Sequence, residues 1–210
     1  MKSRHRAMLF ASVLPALCAC SSLPGHVPAG PTDDTAWRSR QQRLEHLDTW
    51  KLEGRVGIVN SQDGGSGSLD WQQQGEVLDF DFHGPLGAGA LHIQGDADAL
   101  HVRSSRGDDF VTTDPERDFA SLLRVPLPVL SMRYWMLGIP DPHAVVDQRM
   151  DSRGELISLS QRGWQVAYLE YADVQGLSLP VLLTIERGDV HIKVAVSLWT
   201  LPEMASPASP

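Results

Sequence analysis

The side chains that could do chemistry in this chain are few. His83, His92 and His101 recur every nine residues. That spacing would place imidazoles on successive strands, where they could hold a metal; surface histidines on a polar face are the plainer reading. Asp79 and Asp81 share a strand face and could act as a carboxylate pair or simply face solvent. Gly64-Gly65-Ser66-Gly67-Ser68 approaches a nucleophile elbow, but Ser68 stands where the closing glycine belongs and no strand-to-helix turn is expected there. Gly84 to Gly89 is followed by no helix, and His92 occupies the third glycine position of a dinucleotide fingerprint. There is no His-Glu-x-x-His and no cysteine pair for zinc. Catalysis finds no foothold, and the chain reads as a non-enzyme.

The only thiols are Cys18 and Cys20, and their setting is informative. Lys2, Arg4 and Arg6 precede an apolar run from Ala7 to Leu17, broken only by Ser12 and Pro15, in the charge-then-apolar layout of a secretory signal. The run is shorter than the roughly 20 residues that cross a bilayer as a helix. It ends on Leu17-Cys18-Ala19-Cys20, which resembles the lipobox of bacterial lipoproteins. The resemblance implies removal of residues 1–19, diacylglycerol on the Cys20 sulfur and an acyl chain on its amine, with no other cofactor. An ordinary signal with incidental cysteines is the alternative. With Cys18 removed and Cys20 acylated, the folded part has no thiol and must stand without a disulfide.

The chain has 210 residues and a formal charge of −8. Losing the three signal cations makes the mature chain three charges more acidic. That excludes nucleic acid as a partner and electrostatic adhesion to anionic lipid. Residues 20–34, rich in Ser, Pro, Gly and Asp, read as a flexible tether. Residues 35–201 are long enough for one domain with a full core, and 202–210, all Pro, Ala, Ser, Glu and Met, read as a disordered tail.

A helix is expected from Thr35 to about Leu47, with a sparse apolar stripe of Trp37, Leu44 and Leu47 that lies on something. The period then changes to two. Trp50, Leu52, Val56 and Ile58 alternate with Lys51, Glu53 and Arg55. Asp63 to Gly67 reads as a turn. Leu69 and Trp71, then Leu78, Phe80 and Phe82, then Leu91 and Ile93, then Leu100 and Val102 continue the alternation. Thr113-Asp114-Pro115-Glu116 opens a helix, with Thr113 and Glu116 as a possible capping box. Pro126-Leu127-Pro128 ends it, and a very apolar helix follows from Val129 to Leu137, stopped by Gly138. Strands resume at Glu155–Ser160, Trp164–Tyr171, Leu179–Glu186 and Val190–Leu198. The fold class is mainly β (α+β): about ten antiparallel strands in a curved, half-open barrel, covered by a three-helix lid.

Such a barrel either packs solid or holds a ligand. Six tryptophans and the helix at 129–137 are a surplus of apolar surface. Composition alone favours a plain core; a lid with Met132 and Met136 would instead make a deformable wall for apolar ligands. Leu86, at the tip of Gly84-Pro85-Leu86-Gly87-Ala88-Gly89, has no sequence neighbour to pack on. An exposed leucine usually means nothing, but a tip of Gly, Ala and Pro in a tethered chain also suits membrane insertion.

These pieces together resemble the LolB family of outer-membrane lipoproteins. The resemblance rests on the lipobox; Leu47-x-x-Trp50 with Gly54-Arg55; Gly84-Pro85-Leu86-Gly87; Pro126-Leu127-Pro128-Val129 and Tyr134-Trp135-Met136-Leu137-Gly138-Ile139-Pro140; Gln161-x-Gly163-Trp164-x-Val166-x-Tyr168; and Leu179-Pro180 with Trp199. It implies a lid over an apolar cavity for acyl chains. It implies a receptor that takes lipoproteins from the periplasmic carrier LolA, shields their chains and inserts them into the inner leaflet of the outer membrane. Partners would be LolA, the cargo's acyl chains and outer-membrane phospholipid, with the receptor itself a monomer. Pro85, Leu86 and Gly87 would form the inserting loop, and Ser21 after the acylated Cys20 suits outer-membrane sorting. Cavity and lid candidates are Leu52, Val56, Leu69, Trp71, Phe80, Ile93, Val194, Trp135 and Met136. The alternative is a structural or assembly lipoprotein with a solid core that binds only protein.

Overall fold

The computed structural model describes residues 34–85 and 89–202. The expected signal, Cys20, the tether as far as residue 33, Leu86, Gly87 and the tail from residue 203 lie outside the described residues. Among the described residues there are three helices: α1 (Asp34–Glu45), α2 (Pro115–Leu123) and α3 (Val129–Leu137). Eleven strands of the same residues form one antiparallel sheet. They are β1 (Thr49–Val59), β2 (Gly64–Gln74), β3 (Val77–His83), β4 (Ala90–Gly95), β5 (Leu100–Ser104), β6 (Asp109–Thr112), β7 (Val146–Met150), β8 (Leu156–Gln161), β9 (Trp164–Val174), β10 (Leu177–Arg187) and β11 (Val190–Thr200).

The order β6-β5-β4-β3-β2-β1-β11-β10-β9-β8-β7 is two meanders joined where the first strand pairs with the last. The free edges are therefore β6 and β7, which are consecutive in the chain. The segment between them must travel from one edge to the other, and it carries α2 and α3 across the open side. The lid is thus a consequence of connectivity. The sequence pattern misses β6 and β7 as strands because they are short edges with little buried surface and so lack the one-sided alternation.

Curvature comes from bulges. The β1–β11 ladder slips at Glu53/Gly54, and the β10–β9 ladder slips twice between Pro180 and Leu183; each extra residue bends its strand and increases the local twist. Gly54 is required at its bulge, since a Cβ there would sit 2.3 Å from the Ala195 carbonyl oxygen.

The α2 start differs from expectation. Its N-cap is Asp114, whose carboxylate accepts from the Arg117 N–H, and not Thr113. Pro115 occupies the first turn, where a missing N–H costs nothing. Asp114→Ala is expected to lose about 1 kcal/mol, read as a lower urea midpoint with an unchanged slope. Gly138 ends α3 in the left-handed region (φ 73°), and the N–H groups of Gly138 and Ile139 return to the Trp135 and Tyr134 carbonyls.

Candidate functional site

The inward face of the sheet changes character along its length. At one end it is full. Trp71 sits beside Leu52 across the β1–β2 ladder, and Leu52 sits beside Trp199 across β1–β11. The ring of Trp50 is 5.5 Å from that of Trp71 and 5.4 Å from that of Trp199, and Trp71 is 5.5 Å from Phe80 in an edge-on arrangement. At the other end the inward positions of β2 are Gly67 and Gly65, opposite Val56 and Ile58. A Cβ on Gly67 would lie 2.2 Å from the His83 carbonyl oxygen and 2.5 Å from the Phe82 ring, whereas one on Gly65 would meet nothing within 4 Å. Here the sheet has run out of side chains, and a cavity of about 470 Å³ remains.

That cavity is lined from the sheet by Val56, Ile58, Leu69, Phe80, Phe82, Leu91, Ile192 and Val194. The cover contributes Leu122 and Leu123 of α2, Val125 and Leu127 of the connector, and Val129 and Met132 of α3. The stretch expected to be a turn, Asp63 to Gly67, is therefore mostly strand: β2 begins at Gly64. Its signal was available, because Gly65 and Gly67 continue the odd-numbered phase of Leu69, Trp71 and Gln73.

Of the sequence-derived cavity candidates, Val56, Leu69, Phe80 and Val194 line the hollow. Leu52, Trp71, Ile93, Trp135 and Met136 do not; they are fully buried in the filled part of the core. All six tryptophans are buried, so most of the apolar surplus makes a solid core. Pattern reasoning missed Ile58, Phe82, Ile192 and the α2 side chains. A period of two tells which face a residue takes, not which end of the face is hollow.

The mouth of the cavity is polar. Asn60, Asp63, Ser105, Arg106 and Asp108 rim it together with Gly84, Pro85, Gly89 and Ala90. The Gly84 N–H donates to the Gly89 carbonyl at 2.8 Å, which closes the base of the loop joining β3 and β4. Ala90 and Ser105 hold each other by two hydrogen bonds, Ala90 N–H to Ser105 Oγ at 2.8 Å and Ser105 N–H to the Ala90 carbonyl at 2.9 Å. The loop base is thus fixed at the mouth.

The helices are fastened unequally. Along α3, Ser131 donates to Asp141 at 2.6 Å and Trp135 Nε1 to Gln161 at 2.9 Å. Gln161 also accepts the Asp141 N–H and donates to the Asp141 and Ala144 carbonyls. At its end, buried Arg40 of α1 donates to the Leu137 carbonyl (3.3 Å) and the Ser178 carbonyl (2.6 Å), with its guanidinium 5.3 Å above the Tyr171 ring. Burial lowers the Arg40 pKa, opposed by Tyr171 and Glu155; a guanidinium stays charged regardless. Burial likewise pushes Tyr168 and Tyr171 up, so both remain hydroxyl donors, to the Trp135 and Leu156 carbonyls. The polar contacts of α2 are exposed, Glu116 with Arg162 at 3.0 Å and Arg124 with Gln62 at 3.1 Å, and the helix is anchored in the core by fully buried Phe119.

The histidines stay apart from all this. His83, His92 and His101 point away from the core on β3, β4 and β5. His92 Nδ1 lies 2.9 Å from Asp81 and 3.6 Å from Asp79, and these three form the one metal-like triplet among the described residues. His101 pairs with Asp109 instead.

An open curved sheet, a helical cover and an apolar hollow with a polar mouth define a fold with room for an apolar ligand. The family model for the outer membrane lipoprotein LolB matches residues 48–199. Proteins called outer-membrane lipoprotein LolB are similar throughout: 33% identical in Pseudomonas paraeruginosa over 93% of this chain and 96% of that one, and 33% in Alkalilimnicola ehrlichii over 94% and 98%. The chain belongs to the LolB family. It is an outer-membrane lipoprotein with a role in lipoprotein sorting, and not an enzyme. Among solved structures, a LolA-superfamily protein from Nitrosomonas europaea is similar in fold at TM-score 0.53 and 7% identity, over 83% of this chain and 96% of that one. A DUF1329-family protein from Desulfovibrio piger is similar at 0.54 and 8%, over 84% and 96%.

Proposed function

We propose that this protein receives lipoproteins from the periplasmic carrier LolA, shelters their acyl chains in the cavity and delivers them to the inner leaflet of the outer membrane. The observation that carries the reading is the 470 Å³ apolar hollow; a solid-core assembly lipoprotein would have no use for it. Each methylene removed from water contributes about 0.8 kcal/mol, so release into water is steeply unfavourable and release into a bilayer is not. Transfer then runs downhill when the receptor holds cargo more tightly than the carrier and the membrane more tightly still. No nucleotide is required.

On this reading Cys20 is acylated and serves as a leash, while Pro85, Leu86 and Gly87 meet the membrane. The support is positional: the base of that loop is fixed at the cavity mouth. The chain acts as a monomer with LolA, cargo and outer-membrane phospholipid as partners. Purified protein mixed with LolA loaded with a triacylated lipoprotein should strip the carrier; retention of all cargo on LolA would refute the reading. Leu86→Glu should accept cargo normally yet lower its insertion into liposomes at least tenfold. Equal insertion by the variant would remove the loop's role.

A further inference from the structure

The outer face of the first meander carries a set of donors that the sheltering of apolar chains does not use. His92 on β4 lies directly across from Asp81 on β3, and Asp79 stands two positions along the same face. His92 Nδ1 is 2.9 Å from Asp81 Oδ1 and 3.6 Å from Asp79 Oδ1. One donor atom from each of the three lies within 4.8 Å of the others. Donors held at about 2.0–2.1 Å from a tetrahedral Zn²⁺ stand about 3.3 Å apart, and the two distances from His92 bracket that value. We propose that Asp79, Asp81 and His92 bind one divalent transition-metal ion, Zn²⁺ being the probe, and that the ion clips β3 to β4 close to the loop they share. Asp81 stands three residues before Gly84 and His92 three after Gly89. Neither carrier nor cargo enters this site or its test.

Three features point to a cation here and not to an ordinary ion pair. The first is a repulsion built into the register. Asp70 on β2 lies directly across from Asp81, and like charges so placed are destabilising; Asp79 adds a third carboxylate. The cations nearby are Arg103, across from His92, and Lys51, which is 4.0 Å from Asp70 but 2.8 Å from Glu53. The second is orientation. Gln94 donates to Asp79 Oδ2 at 3.2 Å, which leaves Oδ1 turned toward His92; hydrogen bonds of this kind fix the aim of a metal-binding carboxylate. The third is rigidity. β3 and β4 pair without a slip from Leu78 opposite Gly95 to His83 opposite Ala90, so the sheet sets the donor positions. All three side chains are half-buried, which leaves open positions for water on the ion. The donor types select the ion. Ca²⁺ takes six to eight oxygens, far more than two carboxylates offer, whereas imidazole with carboxylate suits Zn²⁺ and, more tightly, Cu²⁺. Nδ1 must be free of its proton to bind, so the ion releases that proton to buffer as it enters. The neighbouring His101 is engaged by Asp109 instead.

The test uses the untagged full chain carrying Cys18→Ser and Cys20→Ser, so that no thiol competes for metal. Zn²⁺ and, separately, Ca²⁺ are titrated into it by calorimetry at one ionic strength. One Zn²⁺ per protein is expected, with a raised melting temperature and amide exchange in β3 and β4 slowed at least tenfold. His92→Gln, Asp79→Asn and Asp81→Asn should each weaken Zn²⁺ binding at least tenfold, while His101→Gln should leave it unchanged. Without metal, Asp79→Asn should melt no lower than the parent, because it relieves a repulsion. One reading needs no variant and so survives any that fails to fold: on adding Zn²⁺ to the parent, the imidazole nitrogen resonances of His92 should shift and those of His101 should stay. Absence of saturable Zn²⁺ binding, an unchanged affinity in His92→Gln, or His92 resonances unmoved by Zn²⁺ would each overturn the site. Ca²⁺ bound as tightly as Zn²⁺ would reduce it to an acidic patch and overturn it equally. Zn²⁺ bound with unchanged exchange in β3 and β4 would overturn the clip.

Discussion

Arg40→Met should unfold with about 2–4 kcal/mol less stability, seen as a lower urea midpoint. The position looks innocuous in sequence, one arginine among several polar residues of a surface helix. In the structure it is 5% exposed. Its guanidinium closes two carbonyls, at Ser178 and Leu137, and Leu137 is the last residue of α3, where a cation also meets the negative end of the helix. Methionine fills a similar volume but donates nothing, so two buried acceptors lose their partner at about 1–3 kcal/mol each. The loss should be concentrated where α1 meets the sheet. Hydrogen exchange in α1 and the last turn of α3 should accelerate before the rest of the molecule. Arg40→Lys should recover part of the loss, since an ammonium can serve one carbonyl well but not both in a fork. A methionine variant as stable as wild type would mean that packing of Trp37 and Leu44 alone holds α1.

Trp71→Ala should be as damaging, about 3–5 kcal/mol, for the opposite reason. Trp71 is fully buried and packs between Trp50 and Phe80, with its indole N–H given to Gln73 at 3.3 Å. Truncation leaves a hole in the filled end and frees a buried amide. The hole lies next to the natural cavity, because the inward neighbour of Trp71 along β2 is the cavity-lining Leu69. The variant should therefore be less stable, yet bind longer acyl chains at least as well as wild type. A loss of both stability and apolar binding would place Trp71 among the cavity's own supports.

Much of this architecture is legible in the residues. The alternation of Trp50, Leu52, Val56 and Ile58, and of Leu78, Phe80 and Phe82, follows from the two-residue repeat of a strand with one dry face. Gly138 and the Pro126-Leu127-Pro128 break mark the helices of the cover for equally local reasons. Other features were not legible. Thr113 and Asp114 are both fit caps, and only the backbone geometry chooses Asp114. β6 and β7 lack a buried face, so no pattern announces them. Arg40 falls in the stripe of Trp37 and Leu44 but reads as solvent-facing, because a charged side chain is buried only where a distant partner, here the Ser178 carbonyl, is waiting.

By itself the sequence determined the class: antiparallel strands, a helical cover and an apolar interior, all set by interactions between residues a few positions apart. It also determined the family, through short motifs kept in order. Tertiary structure alone decided where the interior is solid and where it is hollow. Val56, Leu69, Phe80 and Val194 on one hand, and Leu52, Trp71, Ile93, Trp135 and Met136 on the other, are indistinguishable as inward-facing apolar residues. What separates them is the packing of strands far apart in the chain. Trp71 meets Trp50 and Phe80, while Gly65 and Gly67 leave Val56 and Ile58 facing space that α2, α3 and the strands β3, β4 and β11 enclose together. Periodicity fixes a side chain's face; volume is a property of everything that converges on it.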